Sequence, residues 1–188
     1  MSGNIDPSVL TARERRDMSE MLNIIKTRRS VRNFSGKKLK SADIAKVLEA
    51  GRWAPSGLNN QPWRFGVIEN EGLRNRIAAF TRYGSIIRRA AAVIVVCMDV
   101  ADSYNRDKDL MAVGASIQNM LLEAWDLGIG TCWMGEILNK KTGVADALTL
   151  DKDLDLLAVV AMGYPAGKPQ KGCRKTLKNL LIKGTKYP

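Results

Sequence analysis

Apolar positions along this 188-residue chain follow two rhythms. A 3.6-residue period runs through Ile44, Val47 and Leu48, and again through Leu73, Ile77 and Phe80. It predicts one helix from Ser41, taken as its N-cap, to a stop at Gly51 and Pro55, and a second over residues 71–80. A short helix is expected over 21–29, with Leu22, Ile25 and Arg29 on one face. The longest covers 107–127, with Leu110, Met111, Gly114, Ile117, Leu121, Leu122 and Trp125 facing inward and Gly128 as its stop. A weaker helix follows over 140–148.

The second rhythm is that of strands. Residues 63–69 alternate and are rich in β-formers, 91–98 and 156–162 are continuous apolar runs, and 129–133 is a short strand. Helices and strands interleave without a regular βαβ repeat, so the class is α+β. The length suits one domain with a substantial core. We expect an N-terminal arm or extra helix over residues 1–20 and a single domain over 21–188. No apolar run nears the roughly 18 residues that span a bilayer, and the first residues lack a secretory h-region. The expectation is a cytoplasmic protein that engages no membrane.

Candidate chemistry is narrowed by what the composition lacks. Histidine is absent, which removes Ser-His-Asp and Cys-His nucleophile systems and His-based metal sites. Cys97, Cys132 and Cys173 are widely spaced, form no C-x-x-C pair and imply neither zinc nor a disulfide framework, and Cys97 reads as a small core hydrophobe. A bound cofactor would therefore carry any chemistry. The net charge of +11 is concentrated in two acid-free segments, residues 21–42 and 156–188, which hold 14 of the 30 basic residues. Brought together they form an anion site; kept apart they are solvated faces.

Two motifs stand out. Arg28-Arg29-Ser30-Val31-Arg32 offers three guanidiniums and a hydroxyl, groups that match phosphate oxygens, although a basic helix end has the same appearance. Residues 54–63, Ala-Pro-Ser-Gly-Leu-Asn-Asn-Gln-Pro-Trp, form a loop of turn-favouring residues able to offer hydrogen bonds to a flat polar ligand. Gly128-Ile-Gly-Thr-Cys-Trp lacks the third glycine of a dinucleotide fingerprint and follows a helix, so a Rossmann site is rejected. A sequence pI near 9.8 also suits a nucleic-acid-binding protein, but the basic groups lack interleaved aromatics and no binding motif is recognised.

These segments, in this order, resemble the nitroreductase family of flavin enzymes. Residues 114–124 followed by Leu127-Gly-Ile-Gly-Thr-Cys-Trp-Met-Gly are similar to that family's central helix and flavin-edge loop. Val159-Val-Ala-Met-Gly-Tyr-Pro with the downstream Arg174-Lys-Thr-Leu resembles its closing strand and phosphate-binding tail. The resemblance spans roughly residues 21–182.

The resemblance implies a central mixed, mainly antiparallel sheet flanked by helices, in an intertwined homodimer with FMN at the subunit interface. Arg28, Arg29, Ser30 and Arg32 would meet the FMN phosphate, ribityl chain and nearby ring edge, with Arg174 and Lys175 closing on the phosphate. Pro55, Ser56, Gly57 and Asn59 would reach the isoalloxazine from the partner subunit, with Gln61 in the same loop. Gly135 and Glu136 would lie beside flavin N5 through backbone amides, next to Trp133 and Met134. It implies ping-pong hydride transfer from NADH or NADPH to FMN, then to a small electron-poor acceptor such as a nitroaromatic or quinone. No protein side chain would be catalytic and no metal is needed. A flavin storage or sensor protein is the alternative. The lone chain is expected to leave Ile117, Leu121 and Trp125 partly exposed, and residues 100–108 to form a lid of unassigned role.

Overall fold

The computed structural model describes residues 12–182 and residue 184, with side chains from residue 20 onward. Among the described residues six helices and four strands follow one another; the two rhythms predict the order of all but the short α4. They are α1 (Ala12–Thr27), α2 (Ser41–Arg52), β1 (Trp63–Ile68), α3 (Glu71–Ala78), α4 (Gly84–Arg89), β2 (Ala92–Asp99), α5 (Arg106–Asp126), β3 (Gly130–Trp133), α6 (Lys141–Leu148) and β4 (Leu154–Gly163). Most of the expected arm over residues 1–20 lies outside the described residues; its last part belongs to α1, which crosses the expected boundary at residue 20.

The sheet has the order β1-β2-β4-β3, with every neighbouring pair antiparallel. The one parallel pairing among the described residues is an isolated bridge, Ser30 to Thr131, outside the named strands. β2 and β4 are central, so both faces of each are covered and their sequences read as unbroken apolar runs. Val93, Val95 and Cys97 pack towards Ile77 and Ile87 on the side of α3, α4 and α6. Ala92, Ile94 and Val96 pack towards Val47, Ile117 and Met120 of α2 and α5. In β4 the register slips between the partners of Val96 (Ala158) and Cys97 (Leu156). The extra residue returns Leu156 to the face shared by Val159 and Ala161, as a bulge must.

Three expectations are corrected. Ser41 is the first residue of α2 and not its cap; Lys40 takes the cap position in extended backbone, without a side-chain hydrogen bond. In α5 the buried stripe is Asp109, Ala112, Val113, Ser116, Ile117, Met120, Leu121 and Ala124, while Leu110 and Met111 are exposed. Hydrogen bonds turn Asp109 inward, which sets the phase of the first turns and rotates Leu110 and Met111 outward. Ile117 and Leu121 are therefore buried within the chain, contrary to the exposure expected of them. Exposed apolar side chains elsewhere include Met21, Leu22 and Ile25 of α1, Trp53, Leu58 and Met111.

Residues 30–35 run as an extra edge beside β3 and the end of β4. Val31 N donates to Thr131 O at 2.8 Å, Ser35 N to Tyr164 O at 2.8 Å, and Ala166 N to Asn33 O at 3.0 Å. The approach is close enough to require glycine at position 130, where an added Cβ would lie 2.6 Å from Val31 Cβ. Gly130→Ala is therefore expected to lower stability by about 1–3 kcal/mol, the usual cost of overpacking. A urea melt checks this, and a variant as stable as the parent would mean that residues 30–32 yield freely.

Candidate functional site

The end of α1 is tied down where Trp125 Nε1 donates to Thr27 Oγ1 at 3.1 Å. The helix stops there, so Arg28 and Arg29 leave it as half-buried residues rather than as the solvated helix end their sequence also allows. Arg29 Nη1 donates to the carbonyls of Lys26 and Arg28, both at 2.7 Å. The C-terminal tail passes directly over it, and a Cβ on Gly172 would lie 2.7 Å from Arg29 Nε. That crossing brings Arg174 to Arg28. Burial, then Arg174, then Arg29 hold the Arg28 guanidinium below its ordinary pKa.

Among the described residues, no carboxylate lies within 4 Å of Arg28, Arg29 or Arg174. The two acid-free segments thus converge, with no carboxylate among the described residues to balance them. Like charges crowded in partly desolvated surroundings repel, and a dianion placed among them reverses the sign of that energy. Ser30 is exposed beside this cluster and Lys175 is exposed in the tail.

Arg32 faces a second feature, a cavity of about 230 Å³ lined also by Tyr83, Ile86, Trp133, Met134, Gly135 and Glu136. Met134 N is used by the sheet, donating to Val159 O at 2.8 Å. Gly135 N has no acceptor among the described residues, and a Cβ there would meet nothing within 4 Å, so a ligand can approach that amide closely. The Glu136 carboxylate is occupied elsewhere: it accepts from Thr81 Oγ1 and lies 3.9 Å from Arg82 Nε. What Glu136 offers the cavity is its backbone. Trp133 and Tyr83, each nearly half exposed, supply aromatic surface at the rim.

The loop before β1 is separate. Within one chain, Asn60 and Gln61 line a different cavity, of about 710 Å³, which includes neither Arg32 nor residues 133–136. The loop is strained: Leu58, Asn59 and Gln61 have φ of 56°, 55° and 48°, a conformation that costs a non-glycine residue about 1–3 kcal/mol and persists only where neighbours enforce it. Ser56 Oγ accepts from Gln61 N at 3.0 Å, and Gln61 Nε2 donates to Asn59 O at 3.1 Å. Gly57 is pressed against the Tyr104 hydroxyl. Pro55, Leu58 and Asn59 remain exposed.

The enforcement comes from Asp109, which the sequence reading missed. It is fully buried and accepts from Asn60 Nδ2 at 2.8 Å, Ser103 Oγ at 2.7 Å, Tyr104 N at 3.1 Å and Asn105 N at 3.2 Å. Burial alone would raise this carboxyl; the bonds from Asn60, Ser103, Asn105 and Tyr104 outweigh it and hold it below the ordinary carboxylate range. Asn60 Nδ2 also donates to Asp102 O at 3.0 Å, and Arg64 bridges Asp99 and Asp102. Residues 100–108, expected as a lid, thus brace the strained loop.

Cys97 is buried as expected, its thiol pushed up to about 11 by burial and then by Asp155; burial also raises Cys132. Among the described residues, no cluster of three or more potential ligands could hold a metal, and no helix is long and apolar enough to cross a membrane.

The sequence signature of the nitroreductase family matches residues 25–84 and 79–164, and the chain belongs to that family. A protein of Archaeoglobus fulgidus, provisionally named NADH dehydrogenase/NAD(P)H nitroreductase, is 38% identical over 152 residues, 79% of this chain and 87% of that one. The crystal structure of a Desulfovibrio desulfuricans protein, provisionally named a nitroreductase and solved in complex with FMN, superposes with a TM-score of 0.85 at 42% identity, over 89% of this chain and 98% of that one. The fold extends to the Vibrio harveyi NADPH:FMN oxidoreductase complexed with NAD+, with a TM-score of 0.80 at 22% identity, over 89% of this chain and 78% of that one.

Proposed function

We propose that this protein is an FMN-dependent oxidoreductase that acts as a homodimer, takes electrons from NADH or NADPH and delivers them to an electron-poor acceptor such as a nitroaromatic or quinone. The carrying observation is the convergence of Arg28, Arg29 and Arg174, with no carboxylate within 4 Å among the described residues, on the segment whose Arg32 lines the cavity of the Gly135 amide. The donor set fits FMN: guanidiniums and Ser30 for a phosphate dianion, Arg32 for the pyrimidine edge, the Gly135 N–H for a ring nitrogen, and aromatic surface for a flat ring. When bound, FMN supplies the redox chemistry, taking up two electrons from the nicotinamide nucleotide and releasing them to the acceptor.

The chain's own contribution is placement and charge. Arg28, Arg29, Ser30, Arg174 and Lys175 hold the phosphate. Arg32 favours negative charge at the adjacent ring edge. Trp133, Met134, Gly135 and Glu136 form one wall. Pro55, Ser56, Gly57, Asn59 and Gln61 enter from the partner, held in their strained form by Asp109. Two observations support a pair of chains: the braced loop lines a cavity of its own chain other than the 230 Å³ one, and Met21, Trp53 and Met111 are exposed. Burying such side chains between copies supplies the apolar area that obligate dimers need. The single FMN-binding domain is taken as residues 21–188.

The test is direct. Heat-denatured protein should release FMN, and not FAD, at close to one per chain, and light scattering should report a dimer. The bound flavin should bleach on addition of NADH or NADPH. Finding FAD, no flavin after reconstitution, or an active monomer overturns the reading. Bound flavin that neither nucleotide bleaches would instead assign the protein to storage or sensing.

A further inference from the structure

Among the described residues that line the 230 Å³ cavity, Glu136 is the one acid, and it shares that cavity with Arg32. Charge arithmetic makes the placement costly. Two electrons and one proton added to a neutral flavin ring leave it with one negative charge. Arg32 favours that charge and a carboxylate opposes it. An acid on the wall hinders a site that must accept electrons, unless the carboxylate is held away from the ring.

Thr81 meets that need. Its hydroxyl donates to Glu136 Oε2 and accepts from Tyr83 N at 3.1 Å, so its proton and a lone pair are both committed. Thr81 is not among the residues that line the cavity, so the carboxylate it holds is engaged outside that lining. The turn that bears Thr81 is itself fixed. Gly84 N donates to Thr81 O at 3.2 Å and Ile86 N to Tyr83 O at 2.9 Å. A Cβ on Gly84 would overlap Ala78 O, so α4 starts hard against the end of α3. Arg82 is the weaker partner: its Nε lies 3.9 Å from Glu136 Oε1, its side chain is 72% exposed, and it sits over the Tyr83 ring at 5.1 Å. An exposed pair at that separation contributes little. The hydrogen bond from Thr81 decides where the Glu136 charge sits.

We propose that Thr81 is a positioning residue for electron transfer: by holding the Glu136 carboxylate at the start of α4, it keeps that charge from the flavin ring and leaves Arg32 free to favour the reduced form. The proposal rests on the functional reading above, since it assigns a role towards that reading's cofactor. Loss of the hydroxyl frees the carboxylate to face Arg32 within the cavity and to offset its charge.

The experiment measures the redox potential of the FMN-loaded parent, Thr81→Val, Thr81→Ser and Glu136→Gln by equilibration with a reference dye. Valine keeps the branched shape without the hydroxyl, and serine keeps the hydroxyl. Thr81→Val should disfavour reduced against oxidised FMN by about fivefold, the lower end of ordinary coupling between two sites. That ratio is a fall of about 20 mV in the two-electron potential. Thr81→Ser should match the parent. In a Glu136→Gln background no charge remains to misplace, so Thr81→Val should leave the potential unchanged. A structural role alone would lower the melting temperature of flavin-free Thr81→Val in both backgrounds and leave the potential unmoved. Should valine prevent folding, Thr81→Ala carries the same test. A Thr81→Val potential at or above the parent's, or an equal fall in the Glu136→Gln background, overturns the proposal. Flavin content separates the two readings: a parent that never binds FMN sinks the oxidoreductase assignment, whereas FMN-loaded protein whose potential ignores Thr81 sinks only this role.

Discussion

Asp109→Ala is expected to cost about 3–5 kcal/mol of folding stability, the range for removing one partner of a buried charged interaction. Four hydrogen bonds end on this carboxylate, from Asn60, Ser103, Tyr104 and Asn105. Alanine leaves those donors buried and unanswered. The conservative variant should behave differently. In Asp109→Asn, the amide oxygen can still take the three bonds that Oδ2 accepts, which turns the new NH2 towards Asn60. Asn60 can then flip and present its Oδ1, which is buried and unpartnered in the parent, at the cost of its bond to Asp102 O. The loss should fall to about 1–2 kcal/mol, one exchanged hydrogen bond and no cavity.

The pH dependence has a fixed sign. The folded pKa of Asp109 is depressed, so its stabilisation is fully present above the unfolded value of about 3.9 and is lost as pH falls through the folded pKa. Asp155, raised by burial but held low by Lys141 and Arg106, acts in the same acid window and remains in both variants. The stability difference between parent and Asp109→Asn should therefore shrink below about pH 4. Urea melts at pH 7 and pH 3 check both points, and an alanine variant within about 1 kcal/mol of the parent would show that Asp109 does not brace the loop.

Much of this architecture is legible in the chain because burial writes itself into apolar runs and periods. β2 and β4 are covered on both faces, so residues 91–98 and 156–162 announce them. α4 escapes notice because six residues, Gly-Ser-Ile-Ile-Arg-Arg, are too few for a 3.6-residue period to register. The phase of α5 is misread for a chemical reason: a hydrogen-bonded aspartate replaces an apolar residue on the inward face. Asp109 looks like Asp107, an ordinary acid in the first turn where the helix dipole favours one. The one available signal is the run Ser103-Tyr104-Asn105 ahead of it, whose hydroxyl and backbone donors can close on a carboxylate four to six residues later. The charged half of the site is legible because two segments lack acids altogether. That they meet is a property of the tail's path over Arg29, which no local pattern encodes.

That meeting predicts effects of opposite sign in the two states of the protein. Arg28→Ala and Arg174→Ala should each weaken FMN binding by about 1.5–3 kcal/mol, or roughly ten- to 150-fold, as for other hydrogen bonds to a charged group. Under the proposed reading both act on one dianion, so the double variant should depart from additivity. In flavin-free protein the balance reverses. Arg28 is destabilised there by burial, by Arg174 and by Arg29, with no carboxylate among the described residues to offset them. Removing Arg174 relieves a repulsion, so flavin-free Arg174→Ala should melt at or slightly above the parent while its FMN-loaded form melts below. A surface arginine with no role in binding would change neither, and an arginine needed only for folding would lower both. Fluorescence titration with FMN and melts with and without flavin separate these cases. Unchanged FMN affinity in both single variants, or a flavin-free Arg174→Ala that melts well below the parent, would remove the phosphate from this cluster and with it the main support for a flavin site.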